Sequence, residues 1–155
     1  MSSAWLAIVG TLAGASLTFL FQRINASKTE EAARAERLRE RRMAAYASFA
    51  EKLMEWRRTQ VIRSSIPLQS VQVTTPEADA IKDENRRARA AAWIAFYQVK
   101  LVVDNSDLEM LGRSALDATR NMKSAKTRHD INAAGDEVRK RLEAFLKPAS
   151  TQIVA

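Results

Sequence analysis

Cysteine is absent from the sequence, histidine occurs once, and glycine and proline occur only four and three times in 155 residues. Without cysteine the chain has no disulfide, no thiolate metal site and no cysteine nucleophile. The single histidine, His129, stands beside Asp130, but a metal hydrolase needs several further His and Asp ligands. Glycine-rich phosphate loops and the G-x-S-x-G nucleophile motif are also missing. We therefore expect no enzymatic activity, no metal site and no cofactor.

Alanine, arginine, glutamate and leucine are abundant in the sequence, and all four are good helix formers. The composition therefore predicts an all-α protein. The formal net charge is +7 and the pI is near 10.1, which suits either nucleic acid or anionic lipid as a partner. Because no nucleic-acid recognition motif accompanies the charge, we do not expect nucleic acid to be the main partner.

An uncharged run from Ala4 to Phe21 precedes Arg23, the first charged residue. A helix of that length covers roughly 27 Å, close to the ~30 Å hydrocarbon core of a bilayer. A cleaved signal peptide would need a basic start and a small-residue cleavage site. A buried helix of a soluble protein would be shorter or show a polar face. The run therefore favours a transmembrane anchor at residues 4–22, in the inner (cytoplasmic) membrane.

Basic residues follow the apolar run, and none precedes it. The positive-inside rule then predicts a single-pass protein with its N-terminus outside and its C-terminal body in the cytoplasm. Residues 23–42 are predicted to form a basic helical stalk. Anionic lipid head groups would attract the basic side chains nearest to the membrane. These are Arg23, Lys28, Arg34 and Arg37.

Small residues recur at intervals of about one turn along one side of the apolar run. Gly10 and Gly14 form a G-x-x-x-G pattern, and Ala7 and Thr18 extend it by one turn at each end. Such a stripe lets two helices approach closely in lipid, where packing holds helices together. The pattern predicts self-association, although small residues are also common in membrane spans that do not associate.

Residues 43–147 show the apolar periodicity of an antiparallel bundle of about four helices, and residues 148–155 are predicted to be a flexible tail. The strongest pattern is a heptad seam whose members recur at steps of three and four residues. Its apolar members are Ile81, Ala88, Ala92, Ala95, Val99 and Val102. Asn85 interrupts the seam, where it either fixes the register of the helix or lies at a wet end.

Large apolar residues widen the surface of this seam helix beyond the seam itself. They are Trp93, Phe96, Tyr97 and Leu101. A helix that is apolar over such a breadth faces more than one neighbour, or part of it meets another protomer.

The glycine-bearing run ends in Phe-Leu-Phe-Gln-Arg, and the segment ERLRERRMAAYASFAEKL follows at residues 36–53. This layout resembles a loose group of uncharacterised bacterial single-pass membrane proteins with a helical cytoplasmic body. The resemblance covers about the first third of the chain and is one of layout and composition. It implies an anchored arrangement and no particular activity.

These patterns together predict a membrane-anchored helical interaction or scaffolding protein that self-associates and has no catalytic activity. They do not name its protein partner. One alternative is a phage or envelope lysis factor with a holin-like or spanin-like plan, although the charge bias argues against the external body of a spanin. The other is a basic helical nucleic-acid-binding protein, whose binding would depend steeply on salt.

Overall fold

The structure, a computed structural model, describes the backbone of residues 2–68 and 74–154 and the side chains of residues 30–68 and 74–152. It divides into two compact units, residues 1–39 and residues 40–155, and each is considered by itself. The described residues form α-helices and short 3-10 turns, without a strand, which confirms the all-α prediction. The helices are α1 (Ser2–Ser65), α2 (Thr75–Val102), α3 (Ser106–Asn121) and α4 (Arg128–Val154), and the 3-10 turns are Ile66–Leu68 and Met122–Ser124.

The predicted transmembrane anchor requires correction. Across the residues that the structure describes, no helix combines the length and the apolar character needed to cross a membrane. From Glu30 onward, charged side chains interrupt α1 repeatedly, so this part offers no continuous apolar surface. We therefore withdraw the N-terminal transmembrane helix and the inner-membrane, single-pass localisation that depended on it. The side chains of residues 4–22 lie outside the described residues.

The first unit, residues 1–39, is helical, and its described side chains are exposed from Glu30 to Leu38. Within it Arg34 pairs with Glu30 at 3.5 Å and Arg39 with Glu36 at 3.8 Å. Exposed pairs at helical spacing stabilise a helix by only about 0.3–0.5 kcal/mol each. Among its described side chains, therefore, the unit has local ion pairs and no buried core.

The second unit, residues 40–155, is a helical bundle in which sequence neighbours run antiparallel. Between α1 and α2, between α1 and α4, and between α2 and α3, residue numbers fall on one helix as they rise on the other. Between α1 and α3 they rise together, so these two helices are parallel. The contacts that fix these directions are Arg42–Val102, Thr59–Asn85, Tyr46–Gln152, Arg57–Gly135, Lys100–Glu109, Phe96–Gly112, Gln60–Thr119 and, just past the end of α3, Ser64–Met122.

Three phenylalanine rings meet at the centre of this bundle, one from each of three helices. The ring centroid of Phe49 lies 5.6 Å from that of Phe96 and 5.0 Å from that of Phe145. The rings of Tyr46 and Phe145 form an edge-to-face pair at 5.8 Å. All three phenylalanines are fully buried, and burial of such a side chain contributes about 1.5–3 kcal/mol. The aromatic cluster therefore joins α1, α2 and α4.

A buried polar layer lies at one level of the bundle. The side-chain amide of Asn85 donates to Oγ1 of Thr59 and to Oε1 of Gln60, each at 3.0 Å. Gln60 in turn donates to the backbone oxygen of Thr119 at 3.2 Å. Asn85 is only 4% exposed, so it does not lie at a wet end. The hydrogen bonds of its side chain form only at one axial position of α2 relative to α1, which supports a role in fixing the register of the two helices.

Helix α4 continues through Pro148 to Val154, across the segment for which the sequence predicts a flexible tail. Proline removes one backbone hydrogen bond and bends a helix. Beyond it, Ala149 is buried, and the Tyr46 hydroxyl donates to Oε1 of Gln152 at 3.0 Å. These contacts with α1 offset the local cost of the proline.

Candidate interaction surface

The inner face of α2 carries the predicted heptad seam, which packs into the bundle. Seam residues in the middle of the helix are buried, and those at its two ends are half-buried. The buried ones are Ala88, Ala92, Ala95 and Val99, and the half-buried ones are Ile81 and Val102. Small alanine side chains allow neighbouring helices to come close to this face.

The opposite face of α2 carries a second stripe that the described residues leave in solvent. We define this outer stripe as Arg87, Ala90, Ile94, Tyr97 and Leu101, which are all exposed. The exposed fraction is 59% for Ile94, 53% for Tyr97 and 84% for Leu101. Because successive members are three or four residues apart, they lie along one side of the helix.

Aromatic packing and an ion pair support the outer stripe. The ring of Tyr97 lies 5.9 Å from that of Trp93 and 6.2 Å from that of Phe96, which is buried in the core. Beside Leu101, Lys100 pairs with Glu109 of α3 at 2.6 Å. Tyr97 is therefore held against the rings of the bundle, and an ion pair lies beside Leu101 at one end of the stripe.

Other residues singled out from the sequence lie away from this surface or outside the described side chains. Arg34 and Arg37 are exposed on the first unit. The remaining ones lie among the residues whose side chains the structure does not describe. They are Ala7, Gly10, Gly14, Thr18, Arg23 and Lys28.

The second unit contains a cleft of about 490 Å³ between α1 and α4, and its charged side chains are engaged in structural contacts. Nε of Arg57 donates to the backbone oxygen of Gly135 at 2.9 Å, and Arg139 pairs with Asp136 at 2.8 Å. Burial lowers the pKa of Arg57, and the nearby charge of Arg139 lowers it further. The described lining thus supplies cations, one carboxylate, one amide and apolar side chains, and none of these is a nucleophile paired with a base.

A metal site is not evident in the described part of the chain either. Its His, Asp and Glu side chains form no group of three or more that could hold an ion. His129 is exposed at the start of α4. The expectation that the protein is not an enzyme stays a prediction.

Over the residues whose side chains the structure describes, the fold defines a class: an all-helical bundle in which one helix exposes an apolar stripe. The sequence of residues 43–153 matches the KilB plasmid transfer proteins, and the chain belongs to this family. The matched residues fall within the second unit, residues 40–155. No curated protein and no solved structure matches the chain. The family match gives no support to the resemblance to single-pass membrane proteins, which we therefore correct.

The sequence predicts part of the outer stripe. Tyr97 and Leu101 belong to the predicted wide apolar surface of α2, whereas Ile94 and Ala90 lie outside that prediction. The signal for the rest of the stripe is a second set of residues with heptad spacing, displaced by one or two positions from the seam. A search of α2 for two apolar periodicities rather than one identifies this second set.

Proposed function

We propose that the protein takes part in plasmid transfer as a non-catalytic interaction module, and that the outer stripe of α2 is its binding surface for another protein chain. One observation carries this proposal. Folding of the bundle leaves Ile94, Tyr97 and Leu101 exposed together on one side of one helix. Single exposed apolar residues are ordinary on protein surfaces, whereas contiguous ones mark interaction sites.

Burial of this surface against another chain would contribute free energy to binding. Removing one large aliphatic side chain from water contributes about 1.5–3 kcal/mol. Ile94 and Leu101 gain little of this in the folded chain, because more than half of each side chain stays in solvent. Tyr97 adds an aromatic ring with a polar hydroxyl, which is a common combination at the centre of protein interfaces.

The surface charges support a protein partner more than a nucleic acid. On the second unit many exposed basic side chains already pair with carboxylates. Arg58, for example, contacts both Glu55 at 2.9 Å and Glu84 at 2.6 Å. Such pairing places charges of both signs side by side on the described surface, whereas nucleic-acid binding depends on a one-sided basic patch. Attraction of the first unit to anionic lipid stays a prediction, and the plasmid-transfer family supports a role in transfer over one in lysis.

A transfer assay with a charged outer stripe tests the proposal. The double variant Ile94→Glu/Leu101→Glu places two carboxylates on the stripe of the full-length protein. Because both positions are exposed, we expect its free energy of unfolding to stay within about 0.5 kcal/mol of the parent. Plasmid transfer from cells that carry the variant is expected to fall on the order of tenfold or more.

The matched control is Ala133→Glu/Ala144→Glu, which adds the same charge at exposed positions of α4. This control is expected to transfer the plasmid like the parent. Normal transfer by the stripe variant, with its fold intact by circular dichroism, would refute the proposal.

A further inference from the structure

We infer that the partner of the outer stripe is a second copy of this chain, which pairs its own α2 antiparallel to the first. This inference rests on the proposed function, since it identifies which chain the same surface binds. The symmetry axis of the pair would pass α2 between residues 95 and 96. A two-fold contact of this kind uses one surface twice, so the stripe must be complementary to itself.

Self-complementarity is visible in the order of residues along the stripe. In an antiparallel pair centred on this axis, Ile94 faces Tyr97 of the second copy, and Ala90 faces Leu101 of the second copy. Each facing pair thus joins a smaller side chain to a larger one, and each pair occurs twice in the dimer because of the two-fold symmetry. Alternation of small and large residues across facing positions lets two helices interdigitate without voids.

The charges at the two ends of the stripe favour the same arrangement. Arg87 begins the stripe, and Asp104 follows just past the end of α2, where it is exposed. Within the described residues neither forms an ion pair. Antiparallel pairing brings Arg87 of each copy to the end of α2 where Asp104 of the other copy lies, and also close to the negative end of that helix dipole. Parallel pairing would instead place like charges against each other, which is unfavourable.

The outer stripe lies on a different face of α2 from the buried seam. The seam of α2 already packs inside the bundle, so a second α2 does not compete with the contacts that hold the fold. Two bundles could therefore join through their outer stripes without either one unfolding.

Disulfide cross-linking tests the register directly, because the chain contains no cysteine of its own. We would prepare two full-length variants, Ala90→Cys and Leu101→Cys, with different tags, mix them and oxidise them mildly. A disulfide needs the two β-carbons to lie about 3.5–4.5 Å apart. The mixed disulfide between positions 90 and 101 is expected to form at least roughly tenfold faster than either disulfide between identical positions.

Ala133→Cys, at an exposed position of α4, gives the rate of random collisions and is the control. Disulfides between identical positions of the stripe would indicate parallel pairing and overturn the inference. Rates no higher than that of the control would also overturn it, as expected if the apolar run at residues 4–21 or another protein covered the stripe.

A charge exchange provides a second measurement. Arg87→Asp or Asp104→Arg alone should weaken the dimer roughly tenfold in sedimentation equilibrium, because each change sets like charges against each other at both ends. The double exchange should restore most of the lost affinity, although the aspartate introduced at position 87 then lies near the negative end of the helix dipole, where Arg87 is favoured. Equal dimerisation by all three variants would contradict the proposed register.

These results separate the inference from the proposed function. Loss of transfer in Ile94→Glu/Leu101→Glu without stripe cross-links would retain the interaction surface and reject the second copy. Stripe cross-links together with normal transfer by that variant would establish the dimer and reject its role in transfer.

Discussion

Gly112 lies in α3 where the helix passes the aromatic core. A β-carbon at this position would stand 2.7 Å from Cε2 of Phe96 and 3.4 Å from Cδ2 of Phe145. Both rings pack on Phe49, and both are fully buried. Glycine within a helix is less favourable than alanine by about 1 kcal/mol, but here it permits the close approach of α3 to the core.

We expect Gly112→Ala to lower the free energy of unfolding by about 1–3 kcal/mol, because overpacking outweighs the gain in helix propensity. Urea denaturation would measure the change. Gly135→Ala is the matched control, since its β-carbon would meet Nη2 of Arg57 at 2.8 Å, at the end of a flexible side chain. The control should be close to neutral. A Gly112→Ala variant at least as stable as the parent would show that the rings can adjust.

Tyr46 couples the stability of the bundle to alkaline pH. Burial raises the pKa of Tyr46 above its ordinary value of 10.0, while Arg42 acts in the opposite direction with a smaller effect. Because the folded pKa exceeds the unfolded one, the neutral phenol stabilises the fold. This contribution is complete below the unfolded pKa and is lost as the pH rises through the folded pKa.

We therefore expect the free energy of unfolding to fall above about pH 10 in the parent, and to fall less in Tyr46→Phe. A Tyr97→Phe background leaves Tyr46 as the only tyrosine, since the chain has two. Ultraviolet absorbance of the tyrosinate would then report Tyr46 alone. Titration of Tyr46 at or below its ordinary pKa would contradict the expected burial effect.

At the scale of the helices, capping residues show how far the sequence determines the boundaries. The sequence predicts Thr75 as the N-cap of α2, but Thr74 is the N-cap, and its hydroxyl and backbone nitrogen donate to Glu77 at 2.8 and 3.0 Å. For α3 the sequence predicts Ser106 as the N-cap, yet the side chain of Asn105 accepts the helix N–H groups. Adjacent polar residues offer similar caps, and the surrounding packing selects between them.

The roles of Asn85 and Pro148 depend on contacts between residues far apart along the chain, which a local sequence pattern does not contain. The sequence left the role of Asn85 open, because its partners on α1 lie about 25 residues away along the chain. It also placed the end of the last bundle helix before Pro148, because proline is unfavourable within a helix. The contact between Gln152 and Tyr46 spans 106 residues, and no local signal predicts it.

The last turns of α4 are expected to stabilise the bundle. A chain that ends at Pro148 loses the burial of Ala149 and the hydrogen bond to Tyr46. We expect its free energy of unfolding to be about 1–3 kcal/mol lower than that of the parent. A chain that ends at Gln152 keeps both contacts and is the control. Equal stability of the two shortened chains in thermal denaturation would refute a structural role for this segment.

At the scale of the whole molecule, two observations delimit the same region. The compact second unit starts at Glu40, and the family match starts at residue 43. Apolar periodicity predicts a bundle from residue 43, because the spacing of apolar residues can be read directly from the sequence. The predicted anchor rested on length and hydropathy alone, and none of the described helices combines the two to the required degree.

The antiparallel arrangement of α1 and α4 has a mechanical consequence. Tyr46, near the beginning of the second unit, contacts Gln152, near its end. Tension applied between these two ends would load the contacts between α1 and α4 one after another, starting at the Tyr46–Gln152 hydrogen bond and then the aromatic pair of Tyr46 and Phe145. The two helices would then separate under a small force, because their contacts break one at a time. In a shearing geometry all of the contacts would have to break together.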